Sequence, residues 1–433
     1  MNTTPILILT LTCALSSAAV AQAEQQRERP PRPEGDEVRR QAPRPGQPGR
    51  ENRGGPQRYC LEQAMSDNAQ LHTIAFNGLA FITGDFGAST FIPPGKVCDY
   101  FGFQYMRDID AAQKGHNPIF LNRIVANTFS ILTEAQRAEM KALAEKQAEG
   151  FRQLAYKRLP LIKAFHIESD GQSPTPLSKD KVVAYVGEIF KMDMELSYER
   201  ALLFGKICAS LTPEQKAALS KLKFGDFNSW EEKDVEPYKL PRGTEKMVNV
   251  VYMTFGSEFF SWYAGSVTAD VYFCPERHGT YFGGFYMKDM PAMGKKDYNI
   301  STSVTGDSGK EFINTLTEAQ QKEILVLPDL QRKALTEIAQ VRKAISEELR
   351  LLLAGKTADK QKLLKLGTRY GELDGEMSYY YAAAFARVKK TLTPQQKTAL
   401  LKLRNLEGYT SAPAYLYSTP LQTLPPLTNV NFF

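Results

Sequence analysis

The sequence predicts a mostly α-helical fold, arranged as two tandem helical-bundle domains, each with an aromatic- and Gly-rich N-terminal segment. Three observations carry this. The pattern Leu-Thr-x-x-Gln recurs four times, at Leu132–Gln136 (LTEAQ), Leu211–Gln215 (LTPEQ), Leu316–Gln320 (LTEAQ) and Leu392–Gln396 (LTPQQ). The blocks around it repeat at a nearly constant offset. Tyr100–Asp108 matches Tyr281–Asp289 at 181, the two LTEAQ copies match at 184, and Ser197-Tyr198 matches Ser378-Tyr379 at 181. The segments that follow each LTEAQ carry apolar residues at helical spacing. A repeat this long is a duplicated domain, not a solenoid unit.

In chain order, residues 1–23 read as a signal peptide. The apolar run Pro5 to Val20 ends in Ala21-Gln22-Ala23, a small-x-small cleavage site, which places the mature protein in the periplasm or outside the cell. Residues 24–58 are Arg, Pro, Gly, Glu and Gln with almost nothing apolar, and read as a disordered tether because they cannot bury enough surface to offset chain entropy. Nine Arg against six acidic residues place three of the chain's net +6 charges in this stretch. The remainder is nearly balanced, which argues against nucleic acid as a partner. No later apolar run is long enough to cross a bilayer as a helix. The first repeat domain is expected at 59–235, the second at 245–410, with charged Glu231–Arg242 between them, and an extended Pro- and aromatic-rich tail at 411–433. Four cysteines outlast cleavage, Cys60, Cys98, Cys208 and Cys274. An even number in an exported chain suggests up to two disulfides, with three pairings open.

Each Leu-Thr-x-x-Gln is a capping box. The Thr hydroxyl accepts from the N3 amide, and the N3 Gln reaches back to the cap amide. In the second and fourth copies Pro213 and Pro394 stand at N1, where a missing N–H costs nothing. The phrases LTEAQRAEM and LTPEQKAAL also resemble the Spy/CpxP family of periplasmic proteins, which includes refolding chaperones and relatives in envelope stress and metal resistance. The resemblance implies a helical exported protein that binds unfolded or apolar polypeptide segments, without a cofactor.

The seam after the first LTEAQ runs Met140, Leu143, Gln147, Phe151, Leu154, Arg158, Leu161, Phe165. The second runs Ile324, Leu327, Gln331, Leu335, Ile338, Arg342, Ile345, Leu349. Both place Gln and then Arg on an apolar face, where a polar group must find a partner. The next helix offers Asp193-x-Glu195-x-Ser197-Tyr198 and Asp374-x-Glu376-x-Ser378-Tyr379. The expectation is a buried pair of Arg158 with Asp193 or Glu195, and of Arg342 with Asp374 or Glu376. It would be either a register lock or a ligand or proton site.

The doubled Tyr-Phe-Gly motif supplies further ligand candidates, Tyr100, Phe101, Tyr105 and Asp108, and Tyr281, Phe282, Tyr286 and Asp289. Its aromatics either line a pocket for a sugar or peptide, or form the core where the loop layer meets the helices. Met287, Met290 and Met293 could hold Cu(I) through thioethers. No Glu-x-x-His, HExxH or GxSxG occurs, so no reaction is read from the sequence. The leading expectation is an exported, non-enzymatic binding protein, chaperone-like in action. The alternatives are a structural protein held to cell-envelope components, and a copper binder or enzyme using the interior Arg–carboxylate site.

Overall fold

The computed structural model describes residues 61–86, 100–101, 118–222, 229–272, 274, 280–282, 308–404, 426–427 and 429–433. They form helices and connecting turns, with no strand among the described residues. The first copy supplies α1 (Leu61–Ala64), α2 (Asp67–Thr83), α3 (Pro118–Ile131), α4 (Glu134–Ser169), α5 (Lys179–Ser210) and α6 (Pro213–Lys221). The second supplies α7 (Lys246–Ala264), α8 (Val267–Tyr272), α9 (Ser308–Thr315), α10 (Glu318–Leu325), α11 (Leu327–Leu353), α12 (Lys360–Thr391) and α13 (Pro394–Arg404).

The four repeated motifs start α4, α6, α10 and α13, and each closes both capping hydrogen bonds. α4 and α11 end at equivalent turns, where Gly171 and Gly355 each take φ +70°, a conformation that favours glycine. The two long seams are buried as their spacing predicts. Met140, Leu154, Leu161, Phe165, Ile324, Ile338, Ile345 and Leu349 have no exposed surface. The long helices differ in continuity, although α4 itself carries Pro160. α4 is continuous, whereas its counterpart breaks at Val326, two residues before Pro328. Proline lacks the N–H that would carry a helix through and clashes with the preceding turn.

The packing does not follow the boundaries 59–235 and 245–410. Contacts gather Pro56–Phe433 into one compact unit. α2 of the first copy packs on α9, α11, α12 and α13 of the second, and α7 of the second packs on α3, α4 and α6 of the first. The two copies have exchanged their first long helix, so each bundle is built from both. The sequence repeat could not reveal this, because the same apolar face serves an intra-copy or an inter-copy partner.

The most extensive pairing joins α5 to α12. Here backbones touch. A Cβ on Gly371 would lie 2.5 Å from the Val186 carbonyl oxygen and 2.7 Å from Phe190 Cβ, one on Gly375 3.0 Å from Val186 Cβ, and one on Gly367 2.8 Å from Met194 Cβ. At the repeat offset of 181, Phe190 and Gly371 are the same position, and exchanging the copies turns Val186–Gly375 into Met194–Gly367. The two helices therefore cross antiparallel on an approximate two-fold axis.

The expected tail also differs from its reading. Its described end is a 3-10 turn, Val430–Phe432, that packs on α4, with Phe433 buried. Residues 1–58, Cys60, Cys98 and 405–425 lie outside the described residues. Cys208 is a buried free thiol, and burial pushes it up to about 12. No helix among the described residues is long and apolar enough to cross a membrane.

Candidate functional site

The described half of each Tyr-Phe-Gly motif lies where the two copies meet. Tyr100, Phe101, Tyr281 and Phe282 are each at most 1% exposed, which makes them core rather than the lining of an open pocket. Phe101 stands 5.5 Å from Phe204 of α5 and 5.4 Å from Trp262 of α7. Phe282 stands 5.3 Å from Phe385 of α12 and 5.2 Å from Phe81 of α2. These are the same contacts with the copies interchanged. Large aromatic rings at edge-to-face distances bring both area burial and quadrupole attraction to the junction.

The seam arginines follow the same exchange. The Arg158 guanidinium lies 5.1 Å over the ring of Tyr281, and that of Arg342 lies 5.0 Å over Tyr100. Each arginine of one copy thus covers the motif of the other. A desolvated contact of this kind contributes about 2 kcal/mol. Arg342 Nε also donates to the Asp270 main-chain oxygen at 2.8 Å. The Asp270 carboxylate accepts from Arg350 Nε at 2.7 Å and Nη2 at 2.9 Å, and from the Ser346 hydroxyl. Burial pushes the Asp270 carboxyl above its ordinary value in spite of Arg350.

Of the expected carboxylate partners, Glu195 lies in solvent and Glu376 is taken by Lys179. Asp193 is buried beside Arg200, at 3.8 Å, while Glu195 is exposed. Glu376 accepts from Lys179 at 2.6 Å and from Tyr380 at 3.1 Å; Asp374 is buried on the same helix. The reason is rotational. On α5, Asp193, Ser197 and Arg200 share one face by three- and four-residue spacing, so the helix supplies its own arginine. Arg200 Nη1 donates to both carboxylate oxygens of Glu258 on α7, at 2.8 and 2.9 Å, and Nη2 donates to Ser197 Oγ at 2.6 Å. Phe101 and Phe151 flank the guanidinium at 4.9 and 5.0 Å. Asp193 and Ser197 were legible in the sequence, and a further signal lay in Glu258, a carboxylate within the apolar run of α7.

The second copy places Tyr381 where the first has Arg200. Its hydroxyl donates to Gln331 Oε1, Gln331 Nε2 donates to Gln70 Oε1 of α2 at 2.9 Å, and Gln70 Nε2 donates to the Ala64 carbonyl at 2.8 Å. Gln147, the counterpart of Gln331, donates instead to the Leu196 carbonyl at 3.1 Å and to Glu199 at 3.0 Å. His166, on the seam side of α4, is held neutral by burial, which pushes it down to about 3.

The capping glutamines do more than cap. Gln215 Nε2 donates to Gln136 Oε1 at 2.9 Å and to the Ile131 carbonyl at 2.8 Å. Gln396 Nε2 donates to Gln320 Oε1 at 2.7 Å and to the Thr315 carbonyl at 2.9 Å. The two motifs of each copy therefore clasp each other. Only an amide can accept at the cap and donate across to a partner, so Glu would not serve here.

Tyr105, Asp108, Tyr286, Asp289 and the methionines Met287, Met290 and Met293 lie outside the described residues. Among the described residues no group of three His, Cys, Asp or Glu side chains is placed to hold a metal ion. The interior charges meet protein partners in a packed core, an arrangement suited to fixing helix register. The accessible concave surfaces lie elsewhere. One, of about 370 Å³, is lined by Leu71, His72, Lys310 and Ile313 between α2 and α9. Another, of about 230 Å³, is lined by Ile82, Thr83, Leu392, Leu400 and Leu401 together with Lys389 and Lys397. Comparison with protein-family models, with curated proteins and with solved structures finds no match.

Proposed function

We propose that the protein is an exported, non-enzymatic binding protein that holds apolar polypeptide segments. The observation that carries this reading is Leu401, 55% exposed and lining the cleft formed by α2, α12 and α13. A large apolar side chain left in water beside other apolar residues is a contact surface for an apolar partner. Lys397 in the lining suits a segment with acidic neighbours. The interior arginines, carboxylates and aromatics are engaged with one another, which supports binding over catalysis. The resemblance of the Leu-Thr-x-x-Gln pairs to periplasmic chaperones points the same way.

The test is aggregation of an unfolded client followed by light scattering, with the mature protein and no ATP. Near-stoichiometric suppression is expected. Leu401→Glu should weaken it about tenfold, which corresponds to about 1.4 kcal/mol of lost binding. No suppression by the unaltered protein overturns the reading.

A further inference from the structure

The end of the described chain is bound to its own fold in the manner of a peptide ligand. Asn429 takes φ 58° and ψ 33°, a left-handed conformation that asparagine tolerates better than most residues. It starts the turn Val430–Phe432, closed by the Phe432 N–H donating to the Asn429 carbonyl at 3.1 Å. The turn delivers two aromatic residues to the head of α5. Ser178, the N-cap residue there, makes no side-chain cap bond, and its N–H donates to the Phe433 main-chain oxygen at 2.6 Å. Lys181 Nζ donates to the Phe432 carbonyl at 2.8 Å and stands 4.9 Å over the Phe432 ring. Tyr185 meets the Phe433 ring edge-on at 4.8 Å, while its own hydroxyl is fixed on the Lys157 carbonyl at 2.6 Å. Phe433 is 7% exposed as a result.

The second copy shows what this place requires. At the offset of 181, Ser178 and Lys181 correspond to Asp359 and Lys362. There Glu348 of α11 answers both donors. Its Oε1 accepts from the Asp359 N–H at 2.8 Å and its Oε2 from Lys362 Nζ at 2.5 Å. These two bonds, the backbone N–H first, hold the Glu348 carboxyl below its ordinary value. The residue equivalent to Glu348 in α4 is Ala164, at the offset of 184. The first copy thus keeps both donors and lacks the internal acceptor. Main-chain oxygens of an incoming segment take its place, and Tyr185 adds a ring contact that its counterpart, Leu366, does not offer in the same form.

We infer that the head of α5, with Ser178, Lys181 and Tyr185, is a peptide-binding site for segments carrying two consecutive aromatic residues, held in this structure by residues 429–433 of the same chain. Two main-chain hydrogen bonds set the segment's register, and the lysine and tyrosine select its rings. A covalently attached ligand competes at an effective concentration on the order of millimolar, so the resident segment limits access by others. The site uses different helices from the α2/α12/α13 cleft and does not rest on the function proposed for it.

The experiment is fluorescence anisotropy with a labelled peptide spanning Leu427 to Phe433. A chain lacking residues 426–433 should bind it, and the intact chain should bind at least tenfold more weakly. Lys181→Ala or Tyr185→Ala in the shortened chain should each weaken binding at least tenfold, whereas Leu401→Glu should leave it unchanged. The full-length F432A/F433A chain should bind the peptide like the shortened one, and gives the answer if the shortened chain does not fold. Failure of a variant with an intact helical signal to bind overturns the inference. So does equal binding by the intact chain, or loss of binding through L401E.

Discussion

The two copies put different chemistry at one position of the same helix. Arg200 in α5 and Tyr381 in α12 are equivalent residues, each beside the phenylalanine of a Tyr-Phe-Gly motif. Arg200 forms a buried ion pair with Glu258, and Tyr381 heads a neutral chain through Gln331 to Gln70. Both locks end on the exchanged helix, Glu258 on α7 and Gln70 on α2. What duplication preserved is the need to pin the helix donated by the other copy. The means of pinning it diverged, because a charged pair and an amide chain can each satisfy a dry interior.

The largest test of that comparison is Glu258→Leu, which strips a fully buried arginine of its main carboxylate. A loss of about 3–5 kcal/mol is expected, with much of it recovered in the double variant Arg200→Met/Glu258→Leu. Urea unfolding reads both, and a single-variant loss below about 1 kcal/mol would show that the pair is not the lock. Next is Gly371→Ala at the two-fold crossing. A methyl there would meet the Val186 carbonyl oxygen at 2.5 Å, and backbone cannot swing aside as a side chain does. The expected cost is about 3 kcal/mol, and a neutral result would mean the α5/α12 contact is looser than its geometry.

A third test separates the copies by pH. His166 of α4 sits where α11 has Arg350, so only the first copy titrates there. Its folded value, about 3, lies below the ordinary 6.5, so the unfolded chain binds the extra proton. The stabilisation is complete above about pH 6.5 and is lost as pH falls from there toward 3. About 2 kcal/mol should go by pH 5. The fall in unfolding free energy from pH 7 to pH 5 should be about 2 kcal/mol smaller for His166→Asn than for the unaltered protein, and equal falls would assign the loss to other groups. Tyr381→Phe should cost less than Glu258→Leu, about 1–2 kcal/mol, since it removes one hydroxyl from a neutral chain. A cost equal to that of E258L would erase the distinction between the locks. The smallest effect is Gln136→Glu. An isolated capping box tolerates it, but the clasp loses the amide donor to Ser210, so about 1 kcal/mol is expected in the same assay. A neutral Q136E would reduce the motif to a cap.

Much of the fold was legible because it rests on local rules. Thr133, Thr212, Thr317 and Thr393 announce helix starts through side-chain bonds that span three residues, and the seams of α4 and α11 follow a helical period. The candidate site was legible only in part. Arg158 and Arg342 stood out as charges on an apolar face, and both are buried, but spacing along one helix says nothing about which neighbour it will meet. The alternatives Glu195 for Arg158 and Glu376 for Arg342 failed for that reason, while Asp193 and Asp374 are buried. Arg200 and Glu258 went unnoticed because they become a pair only across α5 and α7.

By itself, then, the sequence determined the helices, their capped starts, the duplication and the buried faces, since each depends on residues within a few positions or on direct self-comparison. The tertiary structure decided that the copies exchange α2 and α7, that Tyr100 and Tyr281 lie under arginines of the opposite copy, and that a tail segment fills the place Glu348 fills elsewhere. Those outcomes depend on which of two chemically equivalent surfaces is nearer in space. A repeated sequence presents both surfaces alike, and only the path of the folded chain distinguishes them.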